Sequence, residues 1–295
     1  MDPTEASVGL ICDFFLSLFD RNLSLATIRG YRSAIGSIHK GFPDGSVVSN
    51  AGVLSKLFRA FFLKRPPSKR LLPSWSLPRV LQALAAPPFE PLGKASLLNL
   101  SIKTCFLIAV ASGQRRSAIH ALTTASGHIR WESSAVRLIP EASYIAKNQT
   151  ANSKPCELLI PRIQSFSSED EDKLWCPVRA LKWYLDRTKD IRCGPNLFIS
   201  SRPPHSPVSR DTISRWLVLA IRSAGDEVLL QGPIRAHDTR GVAASWALFN
   251  GASLNDILTA AYWASPNTFI SCYLKDVLAA EPSFGGASLR AAKHP

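Results

Sequence analysis

Four separated segments of the chain carry residue types suited to work on phosphate. In Ser112-Gly113-Gln114-Arg115-Arg116-Ser117 a glycine turn stands directly before an arginine at a helix start, ahead of the apolar Ile119 and Leu122. An arginine so placed can hold a phosphate through two parallel N–H groups, helped by the positive end of the helix. His237-Asp238-Thr239-Arg240 leads into a helical stretch with Ala243, Ala244, Ala247 and Leu248. A His and an Arg at this spacing share one helical face and can point at one anion. Ser265-Pro266 forms an N-cap and first-turn pair, and the short helix behind it carries Phe269 inward and presents Tyr273 one turn later. The fourth segment, Tyr144-Ile145-Ala146-Lys147-Asn148-Gln149, offers an ammonium group between two expected strands. The apolar residues before Lys147 favour it over Lys154, which sits in the exposed-turn sequence Ser153-Lys154-Pro155 of the same loop. Taken singly, each segment has an ordinary reading: a surface Arg-Arg pair, a common H-x-x-R, a packing tyrosine, a solvated lysine.

The elements that must position these groups are mainly α-helical with a small antiparallel β-sheet. Residues 1–63 read as a small helical bundle, with strongly apolar helices over 8–19 and 53–63. Between them, Ser24 caps a helix whose Ile28, Tyr31, Ile35 and Ile38 form an apolar stripe, leaving Arg29 and Arg32 outside it. Residues 64–78 contain Lys64-Arg65-Pro66-Pro67, Lys69-Arg70, Pro73 and Pro78, a poor sequence for a packed element and therefore a linker. From Lys56 to Arg70 there are six basic residues and no acidic one, so this connection is expected to touch phosphates. Residues 79–295 form a larger mixed α+β domain. Helices are expected over 95–110, 177–185, 212–224 and 236–249, and strands over 128–131, 135–139 and 157–160.

Composition points to the same kind of partner. Lys and Arg number 35 against 22 Asp and Glu, a net charge of +13, which favours a polyanion through phosphate neutralisation and counterion release. The six cysteines contain no C-x-x-C pair, so neither a zinc site nor a disulfide framework is indicated, and buried reduced thiols are expected. The most apolar stretch, 97–111, includes Asn99, Ser101 and Lys103 and is shorter than the about 20 residues of a membrane span; it reads as a core helix. Asp2 and Glu5 near the N-terminus argue against a signal peptide.

In order and spacing, Gly113-x-Arg115, Lys147, His237-x-x-Arg240, Trp263 and Tyr273 resemble the catalytic set of the tyrosine recombinase and phage-integrase family. The resemblance covers roughly residues 77–274, and the helical region before it resembles that family's core-binding domain. It implies an enzyme in which Arg115 and Arg240 clamp the non-bridging phosphate oxygens, Lys147 protonates the leaving 5′ oxygen, and Tyr273 is the nucleophile. It also implies duplex DNA as partner, with Arg29, Arg32, Lys64, Arg65, Lys69 and Arg70 as backbone contacts, and a homo-oligomer, a tetramer, on DNA. No cofactor, metal, membrane or small-molecule substrate is implied, and the location is nuclear if the source is eukaryotic. Two positions depart from the family's pattern. Ala118 stands where many members have an acid, and Trp263 where they have a second histidine, although an indole N–H can still donate to phosphate. The phrases Arg235-Ala236-His237-Asp238-Thr239-Arg240 and Ala261-Tyr262-Trp263-Ala264-Ser265-Pro266 look most like recombinases of DIRS-type retroelements.

A tyrosine that attacks a phosphodiester keeps its energy in a 3′-phosphotyrosyl bond, so rejoining needs neither ATP nor a metal. The phenol, with an ordinary pKa near about 10, requires help in losing its proton and in stabilising the phosphorane, and His237 is placed to accept or relay that proton. The residue set also fits a type IB topoisomerase or a recombinase-derived DNA-binding protein that has lost catalysis. The apolar Val277, Leu278 and Phe284 after Tyr273 suit an element that docks on a neighbour. Tyr262 is the competing nucleophile.

Overall fold

Serine hydroxyls start five of the helices, with Ser7, Ser24, Ser96, Ser209 and Ser253 each accepting the backbone N–H three residues on. The structure is a computed structural model that describes residues 2–66, 73–147, 149, 156–163, 173–225 and 233–277. The chain divides into two compact units, Met1–Lys69 and Arg70–Pro295.

The first unit packs α1 (Val8–Asp20), α2 (Leu25–Ile38) and α3 (Gly52–Lys64) around Phe15, Leu18, Ile28, Leu54, Phe58 and Phe61, preceded by a 3-10 turn at Pro3–Glu5. The inward face of α2 differs from the expected stripe. Leu25 and Ile28 are buried and Ile35 half-buried, but Tyr31 is 43% and Ile38 60% exposed, and Arg32 lies on the inner side. Its guanidinium donates to the carbonyls of Val48 (3.0 Å) and Ser49 (2.9 Å) and lies 5.0 Å over the Phe58 ring. Those carbonyls belong to the irregular stretch before α3 and need donors, which is why an arginine occupies an inward position. Arg65 behaves similarly, donating to Asn22, Phe19 and Leu23 while stacking 3.9 Å over Phe19. Of the basic residues read as DNA contacts, Arg29 and Lys64 are exposed, Arg32 and Arg65 spend donors inside their own unit, and Lys69 and Arg70 lie outside the described residues.

In the second unit, part of the stretch read as linker is core. Trp75 is fully buried against Phe106, and Leu77 opens a helix, α4 (Leu77–Leu84), that the sequence reading did not separate from its surroundings. Helix α5 (Leu97–Ser112) is apolar on nearly every side and runs through the middle, as an all-round apolar helix must. Around it pack α7 (Pro177–Thr188), α8 (Arg210–Arg222), α9 (Asp238–Phe249) and a three-stranded antiparallel sheet in the order β1 (Ile129–Trp131), β2 (Ala135–Leu138), β3 (Leu158–Pro161). Register pairs Ile129 with Leu138 and Leu138 with Leu158, which turns Val136, Leu138, Leu158 and Ile160 to the core. The short α6 (Arg116–His120), α10 (Leu254–Ala261) and α11 (Pro266–Cys272) complete the unit. This is a mainly helical fold with one small antiparallel sheet, as expected. Among the described residues no helix is long and apolar enough to cross a membrane.

Lys103 is fully buried on α5, where its ammonium meets Glu90 at 2.5 Å and the Leu84 carbonyl at 2.8 Å. Arg179 approaches the same carboxylate at 2.7 and 3.2 Å. Burial raises the Glu90 pKa, but the hydrogen bonds from Arg179 and Lys103 outweigh it and leave the carboxyl below its ordinary value. Its contribution to stability is therefore complete above the unfolded-state value and is lost as the pH falls through the folded-state value. Glu90→Ala should cost about 3–5 kcal/mol in denaturant unfolding at neutral pH, because Lys103 is left charged and unpaired in the core. A cost below about 1 kcal/mol would show the triad to be dispensable.

Cys105, Cys156 and Cys176 are buried and Cys12 is half-buried, but Cys193 and Cys272 are exposed, against the expectation of buried thiols throughout. Burial pushes the Cys156 thiol up to about 11.

Candidate active site

Helix α5 ends where Gly113 takes a left-handed conformation (φ 59°), which turns the chain so that Arg115 becomes the N-cap of α6. A side chain is strained at that φ, so the glycine is a backbone requirement. Gln114 fixes the turn from the other side, its amide donating to the Ala260 carbonyl at 2.5 Å. Ala118, the position that lacks an acid, is fully buried in the core. Arg115 is thus aimed by the turn and the Gln114 tether.

Helix α9 begins at His237, and Asp238 accepts from Ser74 at 3.3 Å. Arg240 lies one turn in and is only 2% exposed. One of its terminal nitrogens donates to the carbonyl of Ala261. The Nε and the other terminal nitrogen are buried with no hydrogen-bond partner, and no carboxylate pairs with it among the described residues. Burial first, and then the positive charge of Arg115, push its pKa down to about 10. A guanidinium in this state keeps two N–H-bearing nitrogens able to donate to an anion.

Helix α10 stops at Tyr262, whose left-handed backbone (φ 51°) delivers Trp263 beneath Arg240. The guanidinium carbon lies 4.3 Å from the centroid of the Trp263 ring and 5.4 Å from that of Tyr273. The Trp263 indole N–H is likewise buried and unpartnered. Tyr262 accepts the Glu157 N–H at 3.0 Å on its hydroxyl, and burial raises its pKa. Phe269 of α11 is fully buried beside Trp263. Tyr273 stands just past the helix end, its ring 4.8 Å from Trp263 and its hydroxyl 3.1 Å from Nε2 of His237. The surrounding protein, and then Arg240, hold the His237 pKa below the ordinary histidine value, which favours the neutral imidazole, the form that can take a proton.

His237, Arg240 and Trp263 therefore each contact Tyr273, Arg240 also lies against Trp263, and Arg115 is near enough to act on Arg240. Among the described residues Lys147 makes no hydrogen bond to any of them. It is exposed in the segment between β2 and β3, with Ala146 buried behind it, but Ile145 is 73% exposed and does not anchor the loop as expected. Lys154 lies outside the described residues, as do Leu278 and Phe284.

Sequence reasoning missed most of the basic surface beside this cluster. Arg115, Arg116, Arg210, Arg215, Arg222, Arg235 and Arg240 line one cleft of about 860 Å³ with His237, and among the described residues no acidic one lines it. Arg116 is bonded to Asp211 (3.2 Å) and Ser214 (2.7 Å). The signal was present in α8: Arg215 and Arg222 stand two turns apart on one helix face, with Arg210 at the helix start.

This is the fold of the tyrosine recombinase catalytic domain. No family model and no curated protein matches the sequence. Among solved structures, the chain is similar to the XerH site-specific recombinase bound to palindromic difH substrate in its post-cleavage complex, at 14% identity and a TM-score of 0.57, over 97% of this chain and 72% of that one. It is similar to the XerH pre-cleavage complex at 14% identity and a TM-score of 0.51, over 92% and 68%. It is also similar to a lambda integrase dimer bound to a COC′ core site, at 17% identity and a TM-score of 0.50, over 94% and 82%.

Proposed function

We propose that the chain cleaves and rejoins duplex DNA through a 3′-phosphotyrosyl intermediate. The observation that carries this reading is the pair of unpartnered buried donors, Arg240 and Trp263, packed against the ring of a tyrosine whose hydroxyl meets His237. A phosphate bound there satisfies the orphaned N–H groups and is stabilised further as negative charge builds on its oxygens. The Tyr273 oxygen forms the bond to phosphorus, its proton passes to His237, and the P–O5′ bond breaks. Arg115 and Arg240 hold the non-bridging oxygens, and Lys147 supplies the proton to the departing 5′ oxygen. Rejoining is the reverse, with the 5′ hydroxyl attacking the phosphotyrosine.

The arginine-lined cleft supplies contacts to the DNA backbone on the second unit, and Arg29, Lys64 and the basic connection supply others from the first. The reaction is assigned to recombination of a mobile element of the DIRS type, on the likeness of the Arg235–Arg240 and Ala261–Pro266 phrases, with homo-oligomers assembled on paired sites and a nuclear location in a eukaryotic source. That a similar structure is a dimer on a core site supports the assembly.

The test is incubation with nicked suicide duplexes taken from DNA flanking the gene, followed by a denaturing gel. A covalent protein–DNA species supports the reading. Binding without it would point to a recombinase-derived DNA-binding protein, and relaxation of supercoiled plasmid by the monomer would point to a topoisomerase. Lys147→Ala should slow cleavage of an ordinary 5′ oxygen yet spare a substrate with a 5′ thiol, a leaving group that needs no proton. Equal losses on both substrates would take Lys147 out of the general-acid role.

A further inference from the structure

We infer that Gly241 and Ser245 are positioning residues that dock the nucleophile onto α9 of its own chain; this rests on the reading of Tyr273 as nucleophile. A Cβ placed on Gly241 would lie 2.8 Å from the Tyr273 carbonyl oxygen and 3.6 Å from its carbonyl carbon and Cα. Gly241 sits inside α9, where alanine is preferred by about 1 kcal/mol and the backbone is ordinary helix. The missing side chain therefore serves the close approach of Tyr273. One turn further, the Ser245 hydroxyl donates to the Gly241 carbonyl at 2.7 Å and accepts the Lys275 N–H at 2.8 Å. One turn earlier, His237 meets the Tyr273 hydroxyl. Residues 237, 241 and 245 thus lie along one face of α9 and hold the nucleophile at its hydroxyl, at its carbonyl and two residues downstream.

The helix that carries Tyr273 does less to place it. Helix α11 ends at Cys272, and Tyr273 has left helical geometry (φ −120°, ψ −28°), with its own N–H and that of Leu274 both returning to the Phe269 carbonyl. The approach to the phosphate is consequently set by α9, the same helix that carries Arg240. Clamp and nucleophile share one support, α9.

Two substrates separate positioning from general damage. The first is the suicide duplex, on which Tyr273 attacks and the phosphotyrosyl bond forms. The second is a nicked duplex with a 3′-p-nitrophenyl phosphate beside a free 5′ hydroxyl. There, with Tyr273→Phe as the parent so that no phenol competes, the 5′ oxygen attacks phosphorus, its proton passes to solvent, and p-nitrophenolate leaves. Gly241→Ala must push the Tyr273 backbone away, and covalent attachment at saturating DNA should fall about 10²-fold, the effect of a misplacement on the order of 1 Å. Ligation of the nitrophenyl substrate by Gly241→Ala in the Tyr273→Phe parent should stay near the rate of that parent. Ser245→Ala, which adds no atom, should shift the two rates apart in the same direction and keeps the test open if Gly241→Ala folds poorly. Unchanged attachment in both variants, or equal loss on both substrates, overturns the docking role. A wild-type protein that ligates the nitrophenyl substrate but forms no adduct would instead overturn the assignment of Tyr273, and the docking with it.

Discussion

Tyr273→Phe should abolish the covalent protein–DNA species while leaving DNA affinity and fold nearly unchanged. The substitution removes one oxygen. The ring keeps its packing on Trp263 and Arg240, and the hydrogen bond lost to His237 is solvent-exposed, so the stability change should stay within about 1 kcal/mol. No other hydroxyl among the described residues contacts His237. Tyr262, the nearest tyrosine in sequence, has its hydroxyl committed to the Glu157 N–H, so Tyr262→Phe should retain trapping. The check is a denaturing gel on suicide duplex beside a binding isotherm for each variant. Persistent adduct in Tyr273→Phe would place the nucleophile elsewhere.

Arg240→Ala should lower single-turnover cleavage at saturating DNA by at least about 10²–10³-fold, the scale for losing a preorganised donor to a developing oxyanion. The effect is concentrated in the chemical step because the bound phosphate gains charge as the phosphorane forms. Arg240→Lys should recover little. An ammonium cannot reproduce a planar fork that sends one nitrogen to the Ala261 carbonyl, leaves the others for phosphate and stacks on Trp263. Arg240→Ala also leaves the Ala261 carbonyl without this donor, so thermal unfolding must be followed in parallel. Cleavage by folded Arg240→Ala at a rate close to wild type would remove the guanidinium from the phosphate clamp.

Much of this protein is local in origin and was legible in the chain. The serine caps and the all-round apolar run of α5 depend on side chain and backbone within a turn or two. The alternation in the strands is equally local, so the elements that were read have the right type with ends shifted by a few residues, while the short α4 and α10 were not read. The candidate site residues stood out in the chain as well, because they are unusual in combination: an arginine after a glycine turn, H-x-x-R, and a tyrosine behind Ser-Pro. The face of α2 was misjudged, since Arg32 turns inward only because the carbonyls of Val48 and Ser49, distant in sequence, need a donor. What only the tertiary structure decided is the state of the site. Whether Arg240 is solvated or buried without a counter-ion, whether Tyr262 or Tyr273 meets His237, and why position 241 has no side chain all depend on how α9, α10 and α11 converge. Burial and close approach are properties of groups brought together from afar, and no pattern within one segment encodes them.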